Sequence, residues 1–254
     1  MYMKKIFCFC AFVALLGLSS CGDDDPDSKF DDVTLRYEES YAIPNGGGSN
    51  WTSSNDLIAS VSGSIVKAEH VGVATISSDQ GSFEVTVTAK TNTYQDPCLE
   101  WGASKSRVKE FMKSYSGVSE YSDDSTGLAY IASKNQAVMM LNYLFESNKL
   151  TSSGIVLNTN YVSSEEIVNF LNERYIYVMF DDSDASFYFM SPEEDMAVVM
   201  QENTIGDTVV YIVIYVPMDS STRANGNIKD LFNVKPVSSV EAIQIFEEIK
   251  GKLK

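Results

Sequence analysis

Histidine is almost missing from this chain: His70 is the only one in 254 residues. That scarcity leaves most zinc centres without ligands and Ser–His hydrolases without a base. Cysteine is nearly as sparse. Cys8 and Cys10 fall in an apolar leader, Cys21 closes it, and Cys98 is the only thiol beyond. An internal disulfide and a cysteine metal cluster are both excluded from the remainder. Basic residues are few, 19 against 35 acidic, for a net charge of −16. Such a field repels nucleic acid and anionic headgroups, and solubility accounts for it better than cation binding does. No G-x-S-x-G elbow and no phosphate-cradling glycine loop occurs. Acidic pairs such as Glu165-Glu166 and Glu193-Glu194 carry little weight in so acidic a chain. No catalytic residue, cofactor or metal is expected.

What is present begins with an address. Lys4-Lys5 precede the apolar run Ile6–Leu18, and Ser19-Ser20-Cys21 precede Gly22 and an acidic stretch through Asp32. A basic start, a short apolar run and small residues before a cysteine read as a secretory signal over residues 1–20. The run is shorter than the roughly 20 residues that a spanning helix needs. The placement of Cys21 resembles the lipobox of bacterial lipoproteins, which implies lipidation of Cys21 as the new N-terminus. Loss of residues 1–20 removes Lys4, Lys5 and no acid, leaving 17 basic residues against 35 acidic, net −18. Residues 21–32 then form an acidic tether. The cluster resembles the surface-export signal of Bacteroidota-type lipoproteins, which implies an outer-membrane, outward-facing protein.

Hydrophobic content of 44% with 11% aromatics supplies packed cores and excludes wholesale disorder. Residues 33–90 alternate apolar and polar over short stretches, as in Val85, Val87 and Ala89 against Thr86 and Thr88. Glycines at 46–48, 63, 72 and 81 punctuate them, the pattern of a small all-β sandwich. Trp51-Thr52-Ser53, Ala59-Ser60-Val61, Gly63-Ser64-Ile65-Val66-Lys67-Ala68 and Gly72-Val73-Ala74-Thr75-Ile76 resemble the group 2 bacterial immunoglobulin-like domain. Membership implies an extracellular spacer rather than a catalyst.

Residues 91–254 are organised by an internal repeat. Ser104–Met112 aligns with Ser163–Leu171 at a spacing of 59, each a serine followed by helical periodicity and then by strand-like runs. The expectation is an α+β domain of two helix-plus-antiparallel-sheet repeats, about 98–158 and 159–217, with a C-terminal helix at about 238–250. In architecture it resembles the tandem repeat of β-lactamase inhibitor protein, with no shared motif.

Within that domain, Val209–Val216 is apolar on both strand faces. Either the strand is buried centrally, or an aromatic face of Tyr130, Tyr188, Tyr211 and Tyr215 binds a protein or glycan. Asp182, Asp184, Ser186 and Glu193 imitate calcium-loop spacing, but Phe187 stands where glycine is needed, so hairpin turns are the expectation. The overall expectation is a non-catalytic envelope lipoprotein, bound to the membrane through its lipid and presenting a binding module on a spacer. The alternatives are a structural spacer subunit of an envelope complex, or an enzyme or inhibitor module.

Overall fold

The computed structural model describes residues 30–132, 136–183, 185–205 and 208–218. The expected leader, Cys21, residues 22–29 and the expected helix at 238–250 lie outside them. Seven short strands come first: β1 (Val33–Arg36), β2 (Ser40–Ala42), β3 (Thr52–Ser53), β4 (Ala59–Ser62), β5 (Ile65–Ala68), β6 (Gly72–Ser78) and β7 (Gly81–Thr88). They form a four-stranded sheet in the order β1-β7-β6-β3 and a three-stranded sheet in the order β2-β5-β4. The pair β1–β7 is parallel, from Val33↔Val85 to Arg36↔Thr88. Period-two alternation sends Phe83, Val85 and Val87 inward to meet Leu35, Ile58 and Val66 in one core. Trp51 closes that core, stacked edge-on to Phe30 at 5.1 Å and donating from Nε1 to the Gly46 carbonyl at 3.0 Å. Between β4 and β5, Gly63 takes φ 61°, the left-handed conformation that the tight turn requires.

The rest of the described chain comprises α1 (Lys105–Met112), β8 (Val118–Asp123), β9 (Gly127–Ala132), β10 (Val138–Glu146) and β11 (Lys149–Asn158). These are followed by α2 (Ser164–Arg174), β12 (Ile176–Asp181), β13 (Ser186–Met190), β14 (Met196–Ile205) and β15 (Thr208–Pro217). The eight strands make one continuous sheet in the order β12-β13-β14-β15-β11-β10-β9-β8. This corrects the expected α+β domain of two helix-plus-antiparallel-sheet repeats. The described part is mostly β: 51% of the described residues lie in strands and 10% in helix, and among them only two short helices occur. The physical reason lies in β10, β14 and β15, whose β-branched and aromatic residues are apolar on both faces and therefore build wide, buried strands. Among the described residues, helix is confined to eight and eleven residues.

Both helices start on serine caps. Ser104 accepts from the Arg107 amide, and Ser163 with Glu166 forms a reciprocal capping box. Both pack on the same side of the sheet, where Val108, Met112, Ile167, Phe170 and Leu171 join Tyr143 and Tyr215. The opposite side gathers a second buried cluster that includes Met140, Tyr188, Val199, Val210 and Ile212.

The segment joining the two sheet systems is stitched to α2 and the large sheet. Lys90 and Thr91 donate their amides to Glu173 Oε2 at 2.7 and 2.9 Å, and Val71 donates its amide to the Glu173 carbonyl at 2.8 Å. The Tyr94 hydroxyl lies 2.8 Å from that of Tyr215 on β15. Ser153 donates its hydroxyl to the Cys98 carbonyl at 2.6 Å.

Candidate binding surface

Of the two readings of Val209–Val216, the structure shows the buried central strand, and the four tyrosines do not share an exposed face. Tyr130, Tyr211 and Tyr215 belong to the helix side of the large sheet, and Tyr188 to the opposite side. Tyr215 is fully buried on central β15, and burial drives its hydroxyl pKa well above the ordinary value. Tyr130 and Tyr188 are also buried. Tyr211 is partly buried and donates its hydroxyl to Glu202 at 3.2 Å. These rings support the sheet from within.

The acidic turns are committed locally. Asp123 pairs with Lys109 at 2.6 Å and Lys105 at 2.9 Å, which holds its carboxyl below the ordinary range. Asp124 Oδ1 accepts from the Thr126 and Gly127 amides, closing the β8–β9 turn. Asp181 Oδ1 accepts from both the amide and hydroxyl of Ser183. Asp184 lies outside the described residues, among which no group of three or more potential metal ligands occurs. Cys98 is fully buried and its thiol pKa is pushed up by that burial, which disfavours the thiolate that a nucleophile needs. His70 Nδ1 donates to the Leu57 carbonyl at 2.6 Å, a turn contact in the first sheet system.

One half-buried carboxyl stands apart. Asp96 has an enclosed Oδ1 with no hydrogen-bond partner, beside the hydroxyl cluster of Tyr94, Tyr115, Tyr175 and Tyr215. Loss of hydration pushes its pKa up to about 6, and the Arg174 guanidinium, 3.9 Å from its other oxygen, only partly offsets this. The side chain as a whole keeps 40% of its surface, so the upward pull belongs to the enclosed oxygen and its energetic weight is reduced by solvent. A carboxyl raised in the folded state costs nothing below its unfolded pKa and its full penalty above its folded one. Stability should therefore decline between about pH 4 and 6 on this account. Asp96→Asn is expected to raise Tm by a few degrees at pH 7, roughly 1 kcal/mol, and to leave it unchanged at pH 4. Thermal melts across that range check it.

The exposed aromatic surface lies at the sheet's end. On β12, Tyr177 is 50% exposed, Val178 43% and Phe180 39%. Tyr177 packs edge-on against Phe189 at 5.9 Å, and Phe180 against Phe187 at 4.6 Å. Phe187 and Phe189 sit two apart on β13 and face the helix side, so Tyr177 and Phe180 share that side. A register shift between Tyr177 and Met179 makes this possible: Val178 is the extra residue, and Met179 packs against the opposite cluster. Among the described residues, β12 pairs only with β13. The signal for this edge is visible in the sequence as Ile176-Tyr177-Val178-Met179-Phe180, an apolar run without alternation. Nothing local to that run distinguishes a terminal strand from a central one. No family model matches this chain, and no curated protein or solved structure matches it either.

Proposed function

We propose that the protein is a non-catalytic, lipid-anchored envelope protein that holds its eight-stranded sheet outward to bind a protein or glycan. The observation that carries the binding role is the aromatic β12 edge, where Tyr177 and Phe180 extend a packed aromatic group into solvent. Contiguous exposed aromatics mark interaction sites more often than singly scattered apolar residues do. The resemblance of Trp51–Ile76 to group 2 bacterial immunoglobulin-like domains supports the spacer role of the first sheet system. The lipobox-like Ser19-Ser20-Cys21 supports the anchor, because two or more acyl chains at about 0.8 kcal/mol per buried CH₂ give stable attachment.

The reading is tested on the full chain in cells. Cys21→Ala should move the protein out of the membrane fraction or leave it unprocessed, and unchanged fractionation would remove the anchor. On protein and glycan arrays, the purified full chain should bind a restricted set of spots. Tyr177→Ser with Phe180→Ser should abolish that binding while Tm changes little, since both side chains are exposed.

A further inference from the structure

Resting on that reading of the β12 edge, we propose that its partner is an extended polypeptide segment, apolar in the middle and basic at its ends, which adds to the large sheet as a ninth strand beside β12.

The chemistry of an edge selects a polypeptide. Among the described residues β12 uses one side for β13 and offers the other side's amides and carbonyls to whatever lies beside it. A row of alternating donors and acceptors at strand spacing is completed by another backbone in extended form. Sugars and lipids present no such repeat. The six residues of β12 span roughly 20 Å, enough for a partner of five or six residues. Tyr177 and Phe180 on one side of the sheet, with Val178 projecting from the bulge, give alternate partner side chains apolar ground.

The opposite edge shows what a guarded strand looks like in this same sheet. β8 carries Glu120 and Asp123, both paired to Lys109 of α1, each preceded by a serine, Ser119 and Ser122. Charge and hydroxyls along an edge discourage added strands. β12 has a bulge but no charge between Ile176 and Phe180.

Charge decides between occupants. The β12–β13 hairpin has acids at both ends: Asp181 and Asp182 at its turn, and Glu193, Glu194 and Asp195 in the turn after Met190, the residue paired with Ile176. A second copy, laid antiparallel or parallel, would set acid against acid at each end, on top of a net charge of −16 per chain. A segment with lysine or arginine at its ends meets attraction at both.

The probe is a synthetic peptide carrying the β13 sequence Ser-Phe-Tyr-Phe-Met between lysine pairs, titrated into the full chain. A version with glutamate pairs serves as control. The lysine peptide should bind at least tenfold tighter and slow hydrogen exchange across 176–181 at least tenfold. Tyr177→Lys with Phe180→Lys should remove both effects. Binding without slowed exchange would overturn strand addition, as would equal binding of both peptides. A peptide-free dimer in sedimentation, lost in the double variant, would assign the edge to a second copy and overturn the proposal. If the lysine peptide fails to bind while array binding still depends on Tyr177 and Phe180, strand addition falls and the binding edge stands. If array binding survives the double substitution, both fall.

Discussion

Phe170→Ala should destabilise the protein by about 3–5 kcal/mol. Phe170 is fully buried on α2, with the Tyr94 ring centred 4.1 Å from its own and the Arg174 guanidinium 3.6 Å over its face. Truncation would leave a cavity between helix and sheet, because Tyr94 is pinned by its hydroxyl to Tyr215 and cannot follow inward. It would also strip the ring from a mostly buried cation whose nitrogens are already committed to the Phe170 and Thr91 carbonyls. Urea denaturation is the measurement: a lower midpoint with an unchanged slope is expected. A loss under about 1 kcal/mol would mean that α2 is not held as described.

Glu173→Ala should cost about 3 kcal/mol, by a different route. Its carboxylate is buried and accepts two backbone amides, from Lys90 and Thr91, at 2.7 and 2.9 Å. Alanine would leave two donors in a place where water must enter to satisfy them. Glu173→Gln keeps an acceptor oxygen and should lose about half as much, since a neutral acceptor is the weaker one. Limited proteolysis separates this variant from a core defect. Cleavage between residues 88 and 97 should accelerate well before global unfolding in Glu173→Ala, whereas Phe170→Ala should expose that segment and the large sheet together.

These two neighbours show where local sequence sufficed and where it did not. Ser104 and Ser163 were readable as caps because a cap is a matter of four consecutive residues. Alternation in β7 was readable for the same reason, and so was the shared side of Tyr211 and Tyr215, four apart on one strand. Strand order is a different kind of information. Whether Tyr188 faces with or against Tyr215 depends on two intervening registers, Tyr188↔Val199 and Val199↔Ile214, and pairing sets Tyr188 with the second cluster. The same limit hid the β12 edge, whose run differs little in composition from buried β15. Two amphipathic stretches at a spacing of 59 suggest two helix-plus-sheet repeats, but the strands between and after them join one sheet, so no such repeat organises the domain. Glu173 gave no signal of its own: a glutamate near a helix C-terminus is ordinary until the chain eighty residues earlier is seen to lean on it.

The parallel pairing of β1 with β7 also bears on how the protein carries load. The chain before Val33 runs toward residue 1, and the segment after Thr88 leads into the large sheet. Tension between those two ends runs along both strands in opposite directions. The bonds from Val33↔Val85 to Arg36↔Thr88 are then strained side by side and must fail together. An antiparallel hairpin pulled at its open end would instead come apart one bond at a time. The first sheet system is thus arranged as a shear clasp, suited to a chain held at one end and tugged from the other.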